Sequence, residues 1–289
     1  MGTLADALGG AAREAGAEIR TGAEVCRILV RDGQTAGVVL STGEEIAASL
    51  VISNADPRRT LLGMVDPAHL PPTFARHIRH VRMRGTLAKI NYAVSSLPDF
   101  ASLAGRTDSE KRAALSGFVR LGPSLDGLER AFDAAKYGEL PGEPWLELSI
   151  PSIGSPDLAP AGQHVVSAYA LFAPYELRGT TWDAERESFG DRVTRVIETY
   201  APGFTRSIVA RQTITPLDLE RDYGLTGGHI FHGELALDQL LSGRPLPGWS
   251  RYQTPIRNLY LCGAGTHPGT GLDGRSGYLA AAEILRTGR

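Results

Sequence analysis

The chain has 289 residues, and its 30 Lys and Arg against 32 Asp and Glu give a formal net charge of −2. That balance supplies no field to gather nucleic acid or an anionic membrane surface, so no nucleic-acid partner is expected. No apolar run reaches membrane-spanning length, no secretory signal opens the chain, and two cysteines, Cys26 and Cys262, cannot build a disulfide framework. A soluble protein of a reducing, cytoplasmic compartment is the expectation.

The first element reads as a helix. Thr3 and Asp6 have capping-box spacing, and Leu4, Ala7, Leu8, Ala11, Ala12 and Ala15 recur on one face. An alanine-rich face predicts close packing on a sheet, and Gly16 is a natural stop. Ala17 to Arg20 reads as a short strand. Val25–Val30, Thr35–Leu40 and Glu45–Ser53 then read as a three-stranded antiparallel meander, with Asp32-Gly33 as a hairpin turn.

From Pro57 to Trp249 the pattern changes. Ala88, Ile90, Tyr92 and Val94 alternate with Lys89 and Asn91, and Leu146, Leu148 and Ile150 alternate with Glu147 and Ser149. His164–Phe172 is apolar enough for a strand buried on both faces, and Val193, Val196, Ile197 and Tyr200 trace a helix. Residues 101–143 read as loops and short helices. Strands with interspersed helices suggest a substrate domain on a mixed sheet.

Leu259-Tyr260-Leu261-Cys262 is a short continuous apolar run, typical of a strand covered on both faces. Gly263-Ala264-Gly265 follows at once, and an alanine-rich helix, buried in character, runs from Ser276 to Leu285. A glycine loop between strand and helix lets backbone N–H groups approach a ligand, and suits a pyrophosphate or a reduced flavin. Gly269-Thr270-Gly271-Leu272-Asp273-Gly274 spells G-x-G-x-x-G, but it does not directly follow a strand and opens no βαβ unit. The pattern alone leaves a nucleotide site and a structural glycine turn equally open.

Asn258 to Gly269, NLYLCGAGTHPG, resembles the C-terminal flavin motif of the phytoene-desaturase-like, FAD-dependent oxidoreductases. Val51 to Thr60, Met83-Arg84-Gly85-Thr86, Ile230 to Leu235 and Leu237-Asp238-Gln239 are similar to the same group. The resemblance implies an α/β (α+β) fold. Residues 1–56 and 250–289 would form an incomplete, Rossmann-like FAD-binding domain with the meander, and residues 57–249 the substrate or cap domain. Family members begin with a Rossmann strand and G-x-G-x-x-G, which nothing here supplies, so the chain resembles the C-terminal portion. A fragment is therefore expected, or a chain whose sheet is completed by a second chain or by self-association.

The resemblance also implies site residues. Val25 stands where a strand end faces adenine, and Asn54 and Ala55 lie near the dinucleotide cleft. Gly263, Ala264, Gly265 and Thr266 match pyrophosphate and ribityl contacts, while Gly269, Thr270, Gly271 and Leu272 neighbour the flavin pyrimidine edge. Asp273 and Arg275 depart from the small or apolar residues of relatives, and a carboxylate there would oppose an anionic reduced flavin. The implied reaction moves a hydride between a C–H of an apolar or small-molecule substrate and the flavin. Such chemistry needs no dedicated acid–base residue, so no catalytic residue is assigned. The alternative is a non-catalytic chain that binds a partner supplying the Rossmann half.

Other residues carry blander expectations. His229-x-x-His232 and His77-x-x-His80 have metal-like spacing, but further ligands are lacking, so no metal is expected. His267 is expected to position the glycine loop, Glu234 to serve a loop or helix cap, and Cys262 to be a packed thiol. Arg76, Arg79, Arg82 and Arg84 are expected on a solvated face.

Overall fold

The computed structural model describes every residue except Met1, Pro123, Thr270, Leu272, Gly288 and Arg289. In chain order the elements are α1 (Gly2–Glu14), β1 (Val25–Arg31), β2 (Gln34–Leu40), β3 (Glu45–Ala47), β4 (Val51–Ser53), α2 (Pro72–His80), β5 (Leu87–Val94), α3 (Asp108–Leu115), β6 (Val119–Leu121) and α4 (Leu125–Lys136). They continue with β7 (Leu146–Ser149), α5 (Pro151–Gly154), β8 (His164–Leu171), α6 (Trp182–Tyr200), α7 (Phe204–Ser207), β9 (Ile208–Ile214), α8 (Pro216–Tyr223), β10 (Leu259–Leu261) and α9 (Arg275–Thr287).

The Asp32-Gly33 turn joins β1 to β2 as expected. Both residues have positive φ, 50° and 72°, which matches the twist of the flanking strands. The expected third strand is two strands. β3 pairs antiparallel with β2, whereas β4 pairs parallel with β10. The switch is local: Thr35 Oγ1 donates to the Ser49 carbonyl at 2.9 Å, the chain turns, and Val51 N donates to Asn258 O at 2.9 Å. All three residues of β10 are buried, as its unbroken apolar run predicts.

Three expectations near this pair need correction. Ala17–Arg20 forms no strand, since no neighbouring strand takes its backbone groups among the described residues. Thr3 lies inside α1 rather than capping it, and no residue of α1 is buried; Leu8 is 64% exposed. The helix at the C-terminal end is half bare. Ala280 packs on Tyr252 and Tyr260, but Tyr278 and Leu285 face outward.

The largest sheet has the order β6-β7-β8-β5-β9. Helix and strand are intermixed along this region as expected, while every pairing within the sheet is antiparallel. β6 lies within the stretch read from sequence as loops and short helices. Its short run gains strand geometry only from β7 alongside, which β8 holds in turn. α6 covers the sheet with Phe189, Val193 and Ile197, all fully buried, and Tyr92 meets Phe204 edge to face at 5.2 Å. A second core joins Ile28, Leu61, Phe74, Ile78, Ile256, Leu259 and Leu261. It ties the small sheets to α2 and to the approach to β10.

One buried ion pair fastens α6 to α8. Asp218 is 3% exposed and accepts from Arg186 Nη2 at 2.8 Å, from a second, shorter Arg186 contact, and from Thr215 N and Oγ1 at 2.8 Å each. Burial pushes its pKa up, but the Arg186 and Thr215 hydrogen bonds outweigh that and hold it at about 2. The folded carboxylate thus titrates below the unfolded one. Its contribution is complete above about pH 4 and is lost as the pH falls toward 2. Asp218→Asn is expected to cost about 3 kcal/mol at pH 7 and to flatten stability across that acid window. Urea unfolding of both proteins between about pH 2.5 and 7 checks this; parallel pH profiles would refute it.

Candidate active site

The site begins where β4 and β10 end side by side. Cys262 N donates to Ser53 O at 2.8 Å, and both chains then leave the sheet. Gly263, at φ +88°, passes so close to Asn54 that a Cβ would collide with Asn54 Oδ1. Gly265 is as confined: its Cβ would lie 2.5 Å from the Pro57 ring and 3.2 Å from His232 Cβ. The positive φ of Gly263 and the Pro57 ring against Gly265 favour glycine, and these approaches put residues 54–57, 232 and 262–266 in one cluster.

The loop presents free donors. Cys262 N and Thr266 N are bonded, the latter to Gly263 O at 3.1 Å. Between them the N–H groups of Gly263, Ala264 and Gly265 have no protein acceptor among the described residues. Nδ1 of His232, Nδ1 of His267 and Nε of Arg58 are buried without a hydrogen-bond partner among the described residues. Such orphaned groups are costly unless a ligand meets them. Successive N–H donors with a nearby arginine match phosphate oxygens, and histidine ring nitrogens match the polar edge of a flavin. The residues present therefore fit FAD.

Electrostatics around the loop are set by two buried groups. Asp56, 1% exposed, accepts from Arg59 N at 2.9 Å and from Thr226 Oγ1 at 2.6 Å. It secures the 224–239 loop to the end of β4. Burial pushes the His232 pKa down, Asp56 partly opposes this and Arg244 reinforces it, so His232 is neutral at pH 7.

Arg244 is 3% exposed and has no carboxylate partner among the described residues. Nε donates to Gln239 O at 2.7 Å, Nη1 to Phe231 O at 2.9 Å and to Ala264 O, and Nη2 to Gly233 O at 2.6 Å and Glu234 O at 3.2 Å. All five donors are used on backbone carbonyls from two loops. The guanidinium therefore staples the glycine loop to residues 231–239. Sequence reasoning missed this residue. Its signal was a single arginine in Leu240-Leu241-Ser242-Gly243-Arg244-Pro245-Leu246, a stretch with no acidic neighbour.

The stapled loop adjoins one wall of a cavity of about 910 Å³. Phe132, Phe172, Leu177, Ile230, Phe231 and Leu235 give it an apolar lining, with His229, Tyr175 and several charged side chains among them. A volume of this size accommodates a ligand well beyond a small amine. Met83–Thr86 and residues 230–239, far apart in sequence, meet here. Gly85 N donates to Gly227 O at 2.7 Å, and Arg82 N to Gln239 Oε1 at 2.8 Å.

The remaining sequence candidates fall as follows. Val25 is half-buried at the start of β1, outside the glycine-loop cluster, although neighbouring Glu24 reaches Arg59 at 3.4 Å. Ala55 accepts from Thr60 Oγ1 at 3.3 Å. Gly269 is buried against Arg244 and Gly271 is exposed; Thr270 and Leu272 lie outside the described residues. Asp273 accepts from Arg275 N at 3.0 Å and pairs with its side chain, so its charge is engaged at the start of α9. Glu234 pairs with Arg82 at 3.0 Å, a loop role. Arg84 pairs with Glu176 at 3.2 Å. Burial pushes the Cys262 thiol pKa up, which suits a packed thiol. His229 and His232 lie on a turn, not a helix, and His77 and His80 are exposed on α2.

Residues 1–285 match the family of flavin containing amine oxidoreductases. The chain is 41% identical over 290 residues to rat pyridine nucleotide-disulfide oxidoreductase domain-containing protein 2, covering 99% of this chain and 50% of that protein. It is 31% identical to the neurosporene-forming phytoene desaturase of Rhodobacter capsulatus, covering 93% of this chain and 49% of that protein. The chain thus spans about half the length of the curated relatives it matches. Among solved structures, an oxidoreductase from Methanosarcina mazei shares the fold, with a TM-score of 0.62 at 17% identity, covering 98% of this chain and 53% of that one. Among the described residues, no helix is long and apolar enough to cross a membrane. A flavin is the cofactor that accompanies this fold, and the chain belongs to the flavin containing amine oxidoreductase family.

Proposed function

We propose that this chain carries the flavin-side loop and the substrate cavity of an FAD-dependent dehydrogenase or desaturase. Residues 1–56 and 250–289 contribute to the FAD-binding unit, and residues 57–249 form the substrate unit. When bound, the flavin supplies hydride acceptance from a substrate C–H, or its reverse. The chain's own residues bind and orient. Gly263, Ala264 and Gly265 offer N–H groups to the cofactor, with His232 against Gly265 and unpartnered buried nitrogens on Arg58, His232 and His267. Thr266, 1% exposed, holds the loop by donating Oγ1 to Gly263 O at 2.9 Å. The observation that carries the reading is the run of unpartnered donors on a loop that Arg244 fastens to the cavity wall.

The test is the visible spectrum of the purified chain, before and after soaking with FAD and desalting. Retained flavin bands are expected. A protein that stays colourless, alone and when co-expressed with a G-x-G-x-x-G half, refutes the reading.

A second reading is a non-catalytic chain that binds a partner. The bare face of α1 and the exposed Tyr278 and Leu285 of α9 favour it, since such apolar surface suits a covering chain. Under that reading the co-expressed half binds but restores no flavin reduction by any substrate.

A further inference from the structure

The cavity wall tied to the glycine loop contains a side chain with one ring nitrogen that the described hydrogen bonds leave unused. His229 lines the cavity three residues before His232, whose Cβ faces Gly265. Its neighbour Phe231 shares Arg244 Nη1 with Ala264 of the glycine loop. The ring is therefore held on the part of the cavity wall that Arg244 ties to the glycine loop.

Its hydrogen bonding selects a tautomer. Nδ1 accepts the Phe231 backbone N–H at 3.3 Å, so its lone pair is committed and the ring proton resides on Nε2. Nε2 has no protein partner among the described residues, yet it is not among the buried orphaned atoms, so it is accessible, on a residue that lines the cavity. Burial, with Arg244 and His232 nearby, pushes the His229 pKa down to about 4 and keeps the ring uncharged at pH 7. The charged groups of the lining are already engaged. Arg84 pairs with Glu176, Arg178 with Glu139, Lys136 with Asp133, and Glu234 with Arg82. Tyr175 donates its hydroxyl to Glu220.

We propose that His229 donates a hydrogen bond from Nε2 to an uncharged acceptor on the substrate. The cavity thereby favours apolar molecules bearing a carbonyl or ether oxygen over hydrocarbons and ammonium compounds. An N–H donor in an apolar cavity rewards an acceptor and repels an ammonium group, which presents only further donors. This rests on reading the cavity as the substrate site, but not on flavin being bound.

The test uses three probes on the full chain, with and without added FAD: β-ionone, the hydrocarbon with CH₂ in place of its carbonyl, and the corresponding primary amine. The ketone is expected to bind about tenfold tighter than the hydrocarbon, equivalent to about 1.4 kcal/mol. Its carbonyl stretch should move to lower frequency when bound. His229→Leu should abolish both effects, and His229→Gln, which keeps an N–H donor, should restore part of each. Equal affinities, discrimination that survives His229→Leu, or no binding of any probe overturns the proposal. Independently of any variant's folding, ¹⁵N spectra of the wild-type chain should show His229 as the neutral Nε2–H tautomer, and an Nδ1–H ring overturns it. Ketone discrimination without FAD retention would sink only the flavin reading. FAD retention without ketone discrimination would sink only this one.

Discussion

Arg244→Met is expected to lower the thermal unfolding midpoint by about 10 °C and to abolish FAD retention. The substitution keeps apolar volume but leaves four carbonyls, of residues 231, 233, 239 and 264, without their donor, while Glu234 O keeps the Gln239 Nε2 donor at 3.2 Å. Each unsatisfied buried acceptor costs about 1–3 kcal/mol. Relaxation and water reduce the sum, and a net loss of about 3–5 kcal/mol corresponds to roughly that shift in a chain of this size. The loss falls where the two loops meet, so the glycine loop loses its position as well as its stability. Arg244→Lys should fall between, because an ammonium brings three donors to five acceptors. Calorimetry with flavin absorbance on the same samples checks both. An Arg244→Met protein that melts with the wild type would mean that water takes over the carbonyls and that the staple is dispensable.

Gly265→Val is expected to weaken FAD retention at least about tenfold while the large antiparallel sheet stays folded. The first added carbon would lie 2.5 Å from Pro57 Cδ and 3.2 Å from His232 Cβ, so ring and loop must separate. Overpacking of this kind costs about 1–3 kcal/mol, and here it is discharged at the loop. Gly63→Ala is the matched control. Apart from its own chain neighbours and helix backbone, no atom lies within 4 Å of its added Cβ, so stability should not fall and flavin retention should not change. Equilibrium dialysis against FAD reads the difference. Equal retention by the Gly265→Val and wild-type proteins would remove the glycine loop from the cofactor site.

Some of this was local enough to read from the chain. Asp32-Gly33 specified its turn because only a few residue types accept two successive positive φ values. Leu259–Leu261 announced a covered strand because an unbroken apolar run has no face to give to water. Gly263 and Gly265 marked the loop because the first has a positive φ and the second leaves no room for a Cβ beside the Pro57 ring. Family resemblance, carried by NLYLCGAGTHPG and its companions, pointed to the flavin and to the fold.

The rest depended on residues distant in sequence. Whether Glu45–Ser53 was one strand or two turned on Asn258 and Thr35, which draw the chain out of one sheet into another. The strand expected at Ala17–Arg20 failed because a strand exists only when a neighbour takes its hydrogen bonds. Arg244 carries an ordinary surface residue's identity, and its burial among five carbonyls follows from two loops folding around it. His229 had metal-like spacing with no metal expected, and only the fold brought its Nδ1 to the Phe231 N–H and its ring to the cavity lining. Local sequence determined turns, strand character and the glycine loop, because short-range sterics and periodicity decide those. Tertiary structure alone decided strand pairing, the burial of charge and the cavity, because each is satisfied only by groups brought from elsewhere in the chain.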